Sequence, residues 1–146
     1  MVHRSAAMFS SSQQPCDWVF NRISLRTETK IVNLKEIVKV IAGRILTKQP
    51  TPDMEIPSCG ASDLMSDVLS FMKPGSLLLT GLVHPQSVRT AEMADLAAIV
   101  FVRGKIPDTE VISLADELSI PLIASPCGMY EICGRLYNAG LDPVMK

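Results

Sequence analysis

The sequence predicts an α/β fold: an open, mostly parallel sheet flanked by helices, in a single small domain. Three observations carry that reading. Short apolar runs bounded by glycine or proline alternate with amphipathic helical stretches over roughly 100 residues. Parallel neighbours need a crossover, and each helical stretch supplies one, right-handed by rule. The chain has 146 residues, enough for one domain that buries a core without disulfides or metal.

Residues 1–30 read as an N-terminal extension. Ser10, Ser11, Ser12, Gln13, Gln14 and Pro15 are polar and breaker-rich, and cannot bury enough apolar area to offset their ordering entropy. The WVFNRISL piece that follows suits either an extra packed element or a tail. The α/β domain is assigned to 31–140, with a C-terminal tail over 141–146.

Asn33 followed by Glu36 is a capping-box signature, and Leu34, Ile37, Val38 and Ile41 then recur at helical spacing. Gly43 is expected to end that helix in the left-handed conformation. Residues 44–47 and 56–60 read as short extended pieces around the TKQPTPDM loop. Ser62 or Asp63 is expected to open a second helix with Leu64, Met65, Val68, Leu69 and Met72 on its buried side. Pro74 and Gly75 stop it.

Leu77-Leu78-Leu79-Thr80 is a run suited to a strand covered on both faces. Residues 87–96 form an alanine-rich helix with a weak apolar face. Ala98-Ile99-Val100-Phe101-Val102 is the strongest strand, being continuous, apolar and largely β-branched or aromatic. Asp108 is expected to cap a helix carrying Val111, Leu114, Ala115 and Leu118. Pro121 opens the next strand, where a ladder donor is least missed. Ser125-Pro126-Cys127-Gly128 turns into a last helix with Met129, Ile132, Cys133 and Leu136 inward, ended by Asn138-Ala139-Gly140.

Bulk composition narrows function. There are 14 basic and 15 acidic residues, a net charge of −1, so no positive field draws the chain to nucleic acid or an anionic membrane. No apolar run reaches the ~20 residues that span a bilayer, and the N-terminus lacks a secretory h-region. A cytoplasmic chain is expected. Cys16, Cys59, Cys127 and Cys133 form no Cys-x-x-Cys pair, and His3 and His84 have no ligand-spaced companion. Free thiols, no metal site and no cofactor follow as expectations.

Ligands of open α/β sheets bind beyond the carboxyl ends of the strands. That rule selects the loops 59–63, 80–84, 103–105 and 125–128. Gly60, Gly81, Gly104 and Gly128 permit close backbone approach there. Free N–H groups collect on the same edge, and Arg103 and Lys105 add two cationic donors. The candidate ligand-binding set is Gly60, Ser62, Asp63, Thr80, Gly81, His84, Arg103, Gly104, Lys105 and Ser125, suited to a phosphate or carboxylate.

The sequence holds no phosphate loop of the G-x-x-x-x-G-K-[ST] form, no G-x-G-x-x-G and no G-x-S-x-G elbow. His84 suits either a general base or a turn residue before Pro85. Cys127 suits either a nucleophile activated at a helix start or a packed thiol. No catalytic residue is assigned.

The stretches GASDLMSDVLSFMKPGSLLLTGL and ADLAAIVFVRGKIPDTEVISLADELSIPLIAS resemble the DRTGG domain family. The resemblance covers about residues 33–137. It rests on the SDLMSDVL helix, the apolar strand ending in Thr-Gly, and the following strand, Gly turn and Ile-Pro. Gly104 matches the last glycine of the naming motif. Residues of Gly81-Leu82-Val83-His84 stand where its Asp-Arg would be, and Val102-Arg103 precede Gly104 in place of Thr-Gly. The resemblance implies a non-catalytic regulatory module. Such modules accompany CBS domains in regulated pyrophosphatases, and they look like the N-terminal domain of HPr kinase/phosphorylase.

The family commonly sits at dimer interfaces, and some CBS-linked members respond to adenine nucleotides. The leading expectation is therefore a regulatory domain, a homodimer, that senses a small anionic ligand such as an adenine nucleotide or another phosphorylated molecule. The alternatives are an accessory partner of a larger enzyme, such as a redox enzyme or a kinase, and an enzyme using His84 or Cys127.

Overall fold

The computed structural model describes residues 32–48 and 52–144. The 1–30 extension lies outside them. Along the chain run β1 (Val32–Asn33), α1 (Leu34–Val40), β2 (Arg44–Ile45), β3 (Glu55–Ile56), β4 (Ser58–Ala61) and α2 (Met65–Phe71). Then come β5 (Leu77–Thr80), α3 (Pro85–Met93), β6 (Ala98–Phe101), α4 (Thr109–Glu117), β7 (Leu122–Ala124), α5 (Met129–Ala139) and β8 (Asp142–Pro143).

The runs that are apolar at every position end up buried at every position, and they make the centre of the sheet. β5, β6 and β7 are fully covered. The sheet order is β2-β7-β6-β5-β4-β8. All its pairings are parallel except the edge strand β2, which runs antiparallel to β7. β1 and β3 form a separate antiparallel pair.

Alternation along each strand divides the core in two. Leu77, Leu79, Val100 and Ile123 pack with Leu34, Ile37 and Ile41 of the α1 segment and with Ile132 and Leu136 of α5. Leu78, Ile99, Phe101 and Leu122 pack on the other face with Met65 and Val68 of α2, Val88 and Ala91 of α3, and Val111 and Ala115 of α4. Three successive crossovers thus step from β4 to β7 over one face. The fourth, through α5, returns over the opposite face to the far edge. Stepping direction and face reverse together, as crossovers of one hand require.

Several local expectations need correction. Asn33 does cap α1, its side chain accepting from the Glu36 N–H at 2.9 Å. The left-handed residue at its end is Ala42 (φ 52), not Gly43. The Gly43 N–H bonds to the Val38 carbonyl at 2.8 Å and that of Ala42 to Lys39 at 3.3 Å, closing a Schellman motif around Ala42. Gly43 is needed for a different reason: a Cβ there would lie 2.7 Å from Ile123 Cγ2. Asp95 and Ser119 take the same left-handed role after α3 and α4; only Gly140 after α5 is the residue that role favours.

α2 begins at Met65, after Leu64, with no side-chain cap. It is two turns long, so its buried stripe is Met65, Val68 and Met72 alone, and Leu64 and Leu69 are 58% and 40% exposed. α3 starts earlier than expected, with Pro85 at its first turn. It buries Ser87, Val88, Thr90 and Ala91. Asp108 precedes α4 as expected, but its side chain makes no cap bond. In the segment expected as a tail, Leu141 is buried and Asp142–Pro143 pair with Ser58–Cys59.

Candidate functional site

The parallel strands end nearly level. Ala61 is opposite Leu79, Thr80 opposite Phe101, and Phe101 opposite Ala124. The loops that follow β4, β5, β6 and β7 therefore leave one common edge, and it is there that a binding site is expected.

The sheet changes winding between β6 and β7: the chain leaves β6 for α4 on one face and β7 for α5 on the other. Such a divergence opens a crevice in many folds of this type. Here it is sewn shut. The Arg103 N–H donates to the Cys127 carbonyl at 2.8 Å and that of Gly104 to the Ser125 carbonyl at 2.7 Å. The buried Ser125 hydroxyl donates to the Ile41 carbonyl at 2.7 Å and accepts from the Cys127 N–H at 3.2 Å. The Cys127 thiol also faces the Ile41 carbonyl, at 3.7 Å.

The polar groups gather instead between the β4, β5 and β6 loops. Asp63 Oδ1 accepts from the Gly81 N–H at 2.6 Å and from the Thr80 hydroxyl at 2.9 Å. Thr80 is fully buried, and its oxygen in turn accepts from the Leu82 N–H at 3.1 Å. Lys105 Nζ donates to the Gly81 carbonyl at 2.7 Å. A Cβ on Gly81 would stand 3.1 Å from Arg103 Nη2 and 3.5 Å from both Asp63 Oδ1 and Lys105 Nζ. One anionic and two cationic side chains thus converge on one residue.

The Gly81 N–H bond holds the Asp63 carboxyl below its usual range, helped by the Thr80 hydroxyl and the charges of Lys105 and Arg103; partial burial works the other way. Asp63 is therefore an anion near neutrality. Neither Arg103 nor Lys105 forms an ion pair with it or with any other described residue.

The turn that presents Arg103 is strained. Arg103 (φ 61) and Gly104 (φ 67) are both left-handed, and the Lys105 N–H closes the turn on the Val102 carbonyl at 3.3 Å. Two successive positive φ values are the signature of a type I′ turn, which favours glycine or asparagine. An arginine there costs about 1 kcal/mol. Such a cost persists where the surroundings over-determine the conformation, and it clusters at functional sites.

The remaining candidates are engaged locally. Gly60 lies inside β4, where a Cβ would meet Met72 Sδ at 3.0 Å, so its bareness serves the packing of the end of α2. The Ser62 hydroxyl accepts from the Leu64 N–H at 3.1 Å. His84 caps α3, its Nδ1 accepting from the Gln86 N–H at 3.2 Å. The nearby carboxylate of Asp63 bonds to Gly81 and Thr80.

One feature escaped sequence reasoning. A cavity of about 180 Å³ lies between α5 and the β4–β8 edge, lined by Cys59, Gly60, Cys133, Leu136, Tyr137 and Leu141 among others. Cys59 is half-buried as a residue, yet its thiol sits deep enough that burial, with the nearby Cys133 thiol, holds it protonated. Burial raises Cys133 as well. No signal marked this cavity, because its wall depends on β8, a two-residue strand.

Among the described residues no helix is long and apolar enough to cross a membrane. No family model and no curated protein matches the sequence. Among solved structures, the chain is similar to the CBS and DRTGG domains of the regulatory region of Clostridium perfringens pyrophosphatase, complexed with its activator diadenosine tetraphosphate. The TM-score is 0.63 at 17% identity, over 78% of this chain and 50% of that one. The likeness is one of fold, and the chain spans about half the length of the structure it matches.

Proposed function

We propose that this chain is a regulatory module of the DRTGG kind that senses a small anionic ligand at the rim between β5 and β6. The observation that carries the reading is Arg103. It holds a left-handed backbone that an arginine adopts at a cost, and its guanidinium stands beside Gly81 with no ion pair among the described residues. Lys105 adds a second positive charge beside the same residue. A phosphate or carboxylate is the complement of that pair. Adenine nucleotides are the first class to try, because the similar regulatory region binds diadenosine tetraphosphate. The reading assigns Thr80, Gly81, Arg103, Gly104 and Lys105 to the ligand, with homodimerisation as the mode of assembly.

Isothermal titration with ATP, diadenosine tetraphosphate and inorganic pyrophosphate tests it. Saturable binding of at least one is expected, weakened about tenfold or more by Arg103→Ala and by Lys105→Ala. Absence of binding by all three at millimolar concentration overturns the reading. Unchanged affinity in both variants removes the site.

A second reading, docking on a larger enzyme, draws on α2. Leu64 and Phe71 are 58% and 61% exposed on one flank of that helix. Both of its flanking methionines, Met65 and Met72, are spent on the core. Co-purification of a defined partner that is lost in Leu64→Ser/Phe71→Ser supports it, and retention in that variant counts against it.

A further inference from the structure

We infer that Asp63 is a built-in competitor for the anion site, so that a ligand enters by displacing a carboxylate the protein itself supplies. The inference rests on the anion-sensing reading above and states how that site is regulated. An anion bound between Gly81, Arg103 and Lys105 needs the Gly81 N–H as its backbone donor and the two cations as its countercharge. Asp63 already takes that donor at 2.6 Å. It also takes the Thr80 hydroxyl at 2.9 Å and feels the charges of Lys105 and Arg103. It fills the role of a bound carboxylate.

The placement of Asp63 suits a removable occupant. It lies just before α2, in a loop whose own backbone is held by other groups: Ser62 N–H on the Leu79 carbonyl at 3.1 Å, and Leu64 N–H on Ser62 Oγ. α2 has no side-chain cap and so does not depend on Asp63. The residue is exposed, so its carboxylate can turn to water as an arriving anion takes over the Gly81 and Thr80 donors. Thr80 and Gly81 stay where they are, buried at the end of β5.

The test compares the natural chain with Asp63→Asn by calorimetric titration of inorganic pyrophosphate. Asparagine keeps an oxygen for Gly81 and Thr80 and removes the charge. Pyrophosphate is expected to bind the variant at least about tenfold more tightly. Equal or weaker binding by the variant, with the natural chain still binding, overturns the competitor and leaves the anion site standing. No binding by either protein overturns both.

A second measurement needs no variant. In the natural chain, the backbone amide signal of Gly81 is expected to shift along the same saturation curve as those of Arg103 and Lys105. A Gly81 amide that stays still while Arg103 and Lys105 saturate overturns displacement and keeps the anion site.

Discussion

Two gaps open along the carboxyl rim of the sheet, and they are filled by different chemistry. Between β6 and β7, backbone groups bond to backbone groups, joined by the side chains of the fully buried Ser125 and the half-buried Cys127. Between β4, β5 and β6 the bonds run through exposed or half-buried side chains, Asp63 and Lys105, onto the N–H and the carbonyl of Gly81. The bond from the Ser125 hydroxyl to the Ile41 carbonyl is buried and has no substitute partner, so breaking it costs the desolvation of both groups. A bond from an exposed carboxylate exchanges with water or with another anion at small cost. The same edge thus holds a fixed seam and an exchangeable one. The topological switch lies at the first, while the charges lie at the second.

Removing Ser125 is the most damaging way to break that contrast. Ser125→Ala deprives the Ile41 carbonyl and the Cys127 N–H of their hydroxyl partner in a buried setting. The expected loss is about 2 kcal/mol, read from the urea midpoint. Affinity for anions is expected to be unchanged at temperatures where the variant is folded. A loss below about 0.5 kcal/mol would mean that the seam tolerates water and is no more fixed than its neighbour.

Arg103 belongs to both gaps, and one substitution separates its two parts. Its N–H holds the seam, whereas its guanidinium faces Gly81. Arg103→Gly keeps the N–H and relieves the left-handed backbone. It is expected to raise stability by about 0.5–1 kcal/mol while abolishing anion binding. Arg103→Ala is expected to lose binding without that gain, because alanine keeps the Cβ. A glycine variant no more stable than the alanine one would show that the turn stores no strain. The pairing of gain and loss is the usual exchange between stability and a strained site.

What was legible in the sequence follows the same division. Leu77–Thr80 and the strand from Ala98 are apolar on both faces, and only a central sheet position buries both faces. The loops around Gly81, Arg103 and Lys105 were legible because they follow those strands. The job of Asp63 was not: it reads as a helix opener, while its partner lies 18 residues on. Ser125 was read as a ligand contact, yet its hydroxyl is committed to Ile41, 84 residues back. Nor were the left-handed Ala42, Asp95 and Ser119, whose conformations are imposed by the closing bonds of their helices. Strand β8 is too short for any pattern, and its register comes from β4. Local chemistry is read locally; side chains that act across the fold are not.

The mildest perturbation, acid, separates the two gaps without mutation of the seam. The carboxyl of Asp63 is held low chiefly by the Gly81 N–H, so below the usual carboxylate value of ~3.9 the unfolded chain takes up a proton that the folded chain still refuses. The stability that Asp63 supplies is therefore fully present above about pH 5 and is lost as the pH falls through its lowered folded value. Because the group is exposed, the amount is well under ~1 kcal/mol. Urea midpoints at neutral pH and near pH 3 should show a larger acid loss for the natural chain than for Asp63→Asn. Ser125→Ala should keep the acid loss of the natural chain, since the seam between β6 and β7 is made of backbone groups, a hydroxyl and a thiol and contains no carboxylate. Identical acid losses in the natural chain and Asp63→Asn would mean that the Gly81 bond yields to water in solution, and the exchangeable gap would then stand open before any ligand arrives.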